Sequence, residues 1–326
     1  MSVNDPGSPW MSITEEECRS EVRRIISSDA EYYRDGILVS GREEEYRMDR
    51  IVDICSMIAW SMVQQVRKGR IKEMCFEYPF GSGKKLPPVR VDLGERQVLI
   101  QGIIDRMDIL SSEESGADPQ AADAKDAVRI IDYKTGSDSV NPEYFSKGYK
   151  LQLMVYMKAA LEAAGGNERG MEPAGVFYFR IKDMDTDADA KAVRSGREAF
   201  EERVADAYRL EGIVLNDDAV IDSMDGEIDG VSHVIPVKVN KKEGGYVQFA
   251  GGHLMSADEF DELYRQVDNQ VQRVCREICD GNIEIKPKQE RIKDMQGNRR
   301  NACRYCTYRS ICMFDTSFEG CRYEQV

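Results

Sequence analysis

Residues 98–135 constrain this chain more than any other stretch. They read VLIQGIIDRMDIL, then a soft acidic interval, then VRIIDYKT. Both flanks are rich in Ile and Val, as buried or half-buried β-strands are. Each carries an aspartate among apolar neighbours, Asp105 in the first and Asp132 in the second, and Lys134 follows Asp132 by two positions. Side chains two apart on a strand share a face. Asp132 and Lys134 therefore project together, and Asp105 joins them if the strands pair. Asp108, three residues from Asp105, falls on the other face and is expected to be structural, paired with Arg106.

The remaining chain supplies an α/β frame for these strands. Thr14 with Glu15, Glu16 and Glu17 reads as a helix start. Ile51, Cys55, Ile58, Met62 and Val66 form an apolar stripe at helical spacing through about Arg67. IKEMCFEYPF and VRVDLG read as strands ahead of Asp105, and Glu77 lies in the first of them. The intervening GSGKKLPP is a turn. It is no phosphate loop, because Tyr78 stands where the first glycine belongs and Lys85 follows Lys84 where Ser or Thr is required. Residues 111–127 hold no large apolar side chain and read as a solvated loop. Asn141-Pro142 starts a helix, which Gly148 interrupts before LQLMVYMKAALEAA continues to Gly165-Gly166, a typical stop. AGVFYFRIKD is a further strand. VSHVIPVKVN and GYVQFA suggest a hairpin, and Ser256 caps a long helix with Phe260, Leu263, Val267, Val271, Val274 and Ile278 on its apolar side.

Composition excludes several classes. A net charge of −14 over 326 residues argues against bulk, non-specific nucleic-acid binding, though not against a local basic track. No run of 18 apolar residues is present, so no membrane span is expected. The first residues lack the pattern of a signal peptide. Nine cysteines without that signal read as cytoplasmic thiols or metal ligands, not disulfides. Cys18, Cys55, Cys75, Cys275 and Cys279 are read as packing residues, and His233 and His253 as structural or solvent-facing.

The charged set in the strands points to one chemistry. Hydrolysing a phosphodiester means neutralising its charge, activating water and stabilising a leaving oxygen, which divalent metals held by carboxylates accomplish. Magnesium favours hard oxygen ligands and keeps several waters, so Asp105, Asp132 and a substrate suffice. Lys134 would orient the attacking water or offset transition-state charge, and the Tyr133 carbonyl offers a further oxygen. Glu77 is a candidate ligand or support. Gln152 and Tyr156 share a helix face at four-residue spacing and would hold the DNA backbone or orient the lysine.

The tail has a different character. Between Lys286 and Arg309 it carries eight Lys or Arg against two acids, and within it lies C-x2-C-x5-C, formed by Cys303, Cys306 and Cys312. Such spacing suits zinc or an iron–sulfur cluster, and it does not separate the two. A closed site needs a further ligand, for which Cys321 is the nearest candidate by sequence. Lys286, Lys288, Arg291, Lys293, Arg299 and Arg300 are candidates to line a DNA path.

Taken together, GIIDRMD, IDYKTG and LQLMVY resemble the RecB-type branch of the PD-(D/E)XK nucleases. The resemblance implies a restriction-endonuclease-like core with a mixed central sheet flanked by helices. Asp105 matches the first metal-binding acid, Asp132 the second, Lys134 the catalytic lysine, Gln152 and Tyr156 the Q-x-x-x-Y helix, and Glu77 the upstream acid. The cysteine tail, with FEYPFG, LPPVRVDL and PAGVFYF, is similar to the AddB family, the B-type subunits of ATP-dependent helicase/nucleases, over roughly residues 14–316. That likeness implies a heterodimer with the A-type helicase/nuclease subunit. It also implies a role in double-strand break processing and recombinational repair, and a [4Fe–4S] cluster that pins the tail to the domain start. In that family a further cysteine, in a Cys-Pro-Phe context, and a metal-binding histidine lie well upstream. This chain holds neither, and it reads as the C-terminal part of a longer subunit. The expected organisation is a helical segment over 1–70, a nuclease core over 71–182, an acidic insertion with hairpin and closing helix over 183–282, and a basic Cys-rich tail over 283–326. The rival reading is a non-catalytic DNA-binding or scaffold fragment, stapled by metal at the tail cysteines.

Overall fold

Three helices precede the sheet: α1 (Pro9–Ser12), α2 (Glu15–Tyr32) and α3 (Arg42–Lys68). The computed structural model describes residues 3–32, 41–111, 125–136, 138–164, 170–184, 191, 193–293 and 297–326. Most of the solvated loop expected over 111–127, and the Gly165-Gly166 stop, lie outside the described residues. Thr14 closes a capping box on α2. The Glu17 N–H donates to Thr14 Oγ1 at 3.2 Å, and the Thr14 N–H donates to Glu17 Oε2 at 2.8 Å. In α3 the expected stripe is rotated by about one residue. Val52, Ser56, Val63 and Val66 are buried, whereas Ile51 is exposed. This helix packs against α2 as well as the core, so its buried sector is not a single narrow seam.

The sheet has six strands in the order β1-β4-β5-β6-β7-β10. β1 (Ile71–Phe80), β4 (Gly102–Leu110) and β5 (Asp126–Lys134) pair antiparallel. β2 (Val89–Asp92) and β3 (Gln97–Ile100) make a separate two-stranded ribbon between β1 and β4 in sequence. β6 (Met171–Arg180) then runs parallel to β5, β7 (Glu211–Leu215) antiparallel to β6, and β10 (Gly252–Met255) parallel to β7. The fold is therefore mixed α/β, as the sequence pattern indicates.

A parallel neighbour requires a crossover, and α4 (Pro142–Ser146) with α5 (Gln152–Ala164) supplies it. Asn141 caps α4 through its side chain, and Pro142 occupies the first turn. Gly148 and Lys150, at φ 70° and 55°, swing the chain into α5. α5 lies on β5 and β6, burying Leu153, Met154 and Met157 against them.

Beyond the crossover come α6 (Arg197–Ala207), α7 (Asp218–Met224), the hairpin of β8 (Val237–Val239) and β9 (Tyr246–Gln248), and α8 (Ala257–Cys279). Ser256 closes a second capping box. α8 buries Phe260, Leu263, Val267 and Val271, but its last turns follow the four-residue row to Cys275, leaving Val274 and Ile278 exposed. The tail forms a three-stranded sheet, β12 (Arg299–Asn301), β11 (Lys288–Lys293) and β13 (Glu324–Gln325), with the short α9 (Arg309–Cys312) between.

The sheet face turned away from Asp105 conceals an ionic cluster. Arg106, Asp108 and Arg129 are all fully buried. Arg106 grips Asp108 through Nε and Nη2, both at 2.8 Å, and Arg129 Nε reaches Asp108 Oδ2 at 2.7 Å. Asp108 is structural and paired with Arg106, as its face suggested. Arg129, directly across the ladder from it, is the partner that sequence spacing did not reveal.

Candidate active site

The β4–β5 ladder carries Arg106 opposite Ile131 as its outermost pair, and one further step along that register sets Asp105 opposite Asp132. The strands need not continue the ladder there, because Asp105 itself takes the next donor. Its Oδ2 accepts the Tyr133 N–H at 3.1 Å. Lys134 forms an ion pair with Asp132 Oδ2, and its Nζ donates to Gln152 Oε1 at 3.4 Å. Gln152 Nε2 donates in turn to the Tyr156 hydroxyl at 2.8 Å. Tyr156 packs edge-on against Phe80, with centroids 5.8 Å apart. Asp132, Lys134, Gln152 and Tyr156 thus form one connected line, which Asp105 joins through the Tyr133 N–H, built from the middle of β4, the end of β5 and the first turns of α5.

Burial sets the electrostatics. Asp132 is 1% exposed. Burial raises its pKa above the usual carboxylate range; Lys134 opposes the rise and Asp105 adds to it. Tyr156 is likewise raised, first by burial, with its Gln152 hydrogen bond opposing and both aspartates contributing. A carboxyl whose folded pKa lies above its unfolded value of about 3.9 penalises the folded state at higher pH, and the penalty disappears below that value. Asp132→Asn is therefore expected to raise stability at pH 7. The gain should close as the pH falls through the carboxylate range. Urea melts at pH 7 and pH 3 check this, and equal or lower stability at pH 7 would contradict it.

Glu77 falls opposite Asp105 in the β1–β4 register, outside the hydrogen-bonded line. It is exposed, its φ is 45°, and the β1–β4 ladder skips it between Phe76 and Tyr78. Cys75 and Tyr78, three apart, line one cavity with Met107, so the alternation of β1 slips at Glu77. A left-handed backbone at a non-glycine strand position is uncommon. Among the described residues no third His, Cys, Asp or Glu joins Asp105 and Asp132 as a metal-holding group. The two aspartates still suit a hard cation. They offer carboxylate oxygens alone, and Asp132 Oδ2, although beside Lys134, has no donor aligned on it as a hydrogen bond.

The tail cysteines are placed separately from this line. Cys303 lies in a 3-10 turn capped by the Asn301 side chain, Cys306 is exposed just beyond it, and Cys312 ends α9. Tyr323 is held high by burial and by a hydrogen bond to the Cys303 thiol. Cys303, Cys306, Cys312 and Cys321 are all described, and no three of them gather to hold a metal. As placed, they do not form the cage that a cluster or zinc ion needs. Among the basic tail residues, Lys288 is engaged inside the fold with Glu324 and the Lys147 carbonyl and Arg300 with Asp138, whereas Lys286 pairs with Glu284 at the exposed surface. Cys18, Cys75 and Cys275 are buried, and burial and Glu73 push the Cys75 thiol up to about 12. His233 pairs with Asp206 at 3.2 Å, and His253 lies on the edge strand β10. No described helix is long and apolar enough to cross a membrane.

A three-stranded antiparallel unit followed by a parallel crossover, with Asp105 inside β4 and Asp132 and Lys134 at the end of β5, has the layout of a nuclease fold. The chain belongs to the PD-(D/E)XK nuclease superfamily, whose family model matches residues 12–313. Among its curated relatives are proteins named as the B-type subunit of an ATP-dependent helicase/deoxyribonuclease. That of Thermoanaerobacter sp. (strain X514) is 30% identical over 96% of this chain and 25% of its own length. That of Caldanaerobacter subterraneus subsp. tengcongensis is 31% identical over 97% of the chain and 26% of its own length. The Clostridium tetani protein is 32% identical over 96% and 26%. The chain thus spans about a quarter of the length of these relatives.

Proposed function

We propose that this chain is the magnesium-dependent deoxyribonuclease domain of a two-subunit helicase–nuclease. In this reading it cuts single strands that a helicase partner exposes at double-strand breaks bound for recombination. The observation that carries the reading is the Asp105 carboxylate held on the Tyr133 N–H next to Asp132, with Lys134 on Asp132 and the Gln152–Tyr156 face behind it. The names of the relatives support the helicase–nuclease context.

Asp105 and Asp132 would hold magnesium, which when bound supplies charge neutralisation and a more acidic water. The protein's own groups do the rest. The Tyr133 N–H fixes the rotation of the Asp105 carboxylate. Lys134 balances the negative charge that develops on the attacked phosphate. Gln152 aims the lysine, and its bond to Tyr156 fixes which of its ends faces the ammonium. Glu77 is proposed as a support at the mouth of the site, not as a ligand.

Incubating the chain with single-stranded DNA tests the proposal. Cutting should require magnesium, stop on chelation, and be lost in Asp105→Asn. If the chain binds DNA yet never cuts it, even with the A-type helicase/nuclease partner present, the scaffold reading replaces this one.

A further inference from the structure

The connection between Lys134 and Gln152 is gripped from outside by the tail. Lys150 sits two residues before α5 in left-handed backbone, a conformation that persists only where its surroundings over-determine it. Its ammonium donates to Asp138 Oδ1 at 2.9 Å and to Glu290 Oε1 at 2.7 Å. It also lies over the rings of Tyr144 and Tyr149, at 5.3 and 5.4 Å. Arg300 donates to the same Asp138 oxygen at 2.8 Å. The Lys150 side chain is 16% exposed and that of Glu290 8%. Two carboxylates and two cations therefore balance, with Asp138 34% exposed at the outer side and the Lys150–Glu290 pair largely buried, where losing one member leaves a buried charge uncompensated.

The position of this cluster gives it a consequence for the site. Asp138 follows Lys134 by four residues, and Lys150 precedes Gln152 by two. The cluster thus holds both legs of a connection whose ends carry the lysine and the amide that aims it. Tyr178 lies between them. Lys134 Nζ sits 5.3 Å from its ring, and its hydroxyl is raised by burial and then by Asp132, Asp138 and Glu290.

We infer that Lys150, clamped between Asp138 and Glu290 of the tail strand, is a positioning residue that fixes the first turn of α5 so that Gln152 directs Lys134 at Asp132. The catalytic half of this inference rests on the nuclease reading; the clamp itself does not.

Amide hydrogen exchange on the full chain tests the clamp without any catalysis. In Lys150→Met, amides of residues 151–156 and 288–290 should exchange at least about tenfold faster, with β4 and β5 unchanged. Lys150→Arg, which keeps the charge, should retain most of the protection. Wild-type exchange at 151–156 in Lys150→Met would overturn the clamp. Cutting of single-stranded DNA tests the positioning. Lys150→Met should lower kcat roughly 10- to 100-fold, with KM and the half-activating magnesium concentration unchanged. In a Gln152→Ala background the same substitution should change kcat by less than about twofold, because the route through Gln152 is already gone. Independent, multiplying losses would make Lys150 merely structural and overturn the role. A wild-type chain that does not cut DNA overturns the nuclease reading and the catalytic half with it, and exchange alone then judges the clamp.

Discussion

Lys134→Ala is expected to abolish magnesium-dependent cutting of DNA while leaving the fold intact. The loss should reach about 10²–10³-fold in kcat or more, the range seen when a preorganised charge-stabilising group is removed. Lys134 is the cation placed on Asp132, and its ammonium is also held by Gln152, so nothing else described at the site can take its place. The fold should survive because Lys134 closes β5 with its side chain a quarter exposed, 25%, rather than filling the core. Circular dichroism and a denaturation midpoint establish the fold, and a single-stranded DNA assay across magnesium concentrations establishes the activity. Unchanged cutting in this variant would sink the nuclease assignment.

Asp108→Asn should have the largest effect on stability. The substitution keeps volume and removes the counter-charge of two buried guanidiniums. Both arginines stay charged in any accessible pH range. Breaking a buried ion pair by removing one partner costs about 3–5 kcal/mol, against a total folding stability of roughly 5–15 kcal/mol. Already in the wild type, Nη1 of Arg106 and both Nη of Arg129 lack a hydrogen-bond partner, so little reserve remains. The expected result is poor soluble yield, or a urea midpoint far below wild type, and a variant as stable as wild type would refute it. The same geometry fixes a pH response. Burial would raise Asp108, but Arg106 and Arg129 overcome it and hold the carboxyl below its ordinary value. Its stabilisation is therefore present above the unfolded pKa near 3.9 and is lost as pH falls below it. This is opposite in sign to Asp132.

The site was legible in the sequence because its grammar is local. Asp132 and Lys134 share a face by the two-residue period, Gln152 and Tyr156 by the four-residue one, and Asp105 needed only that two adjacent strands pair. What the sequence could not show depends on contacts made across the fold. Arg129 reads as an ordinary strand cation until the β4–β5 register sets it against Asp108. Glu77 gives no sign of a left-handed backbone, because glutamate is not a residue that signals one. The rotation of α3 follows from α2 lying alongside it, which no periodicity within α3 records. Lys288 and Arg300 read as free basic side chains until the tail folds back on the loop after β5.

The contact between Lys150 and Glu290 closes a loop of 140 residues. The entropy of closing a flexible loop grows only with the logarithm of its length, so doubling the loop would add about 0.6 kcal/mol. Insertions at the exposed turns within that span, such as the Lys241–Gly244 turn of the β8–β9 hairpin, would therefore cost the contact little, whereas β6, β7 and α8 within it are fixed by the core. The Lys150–Glu290 contact is insulated, thermodynamically, from length changes at those surface turns.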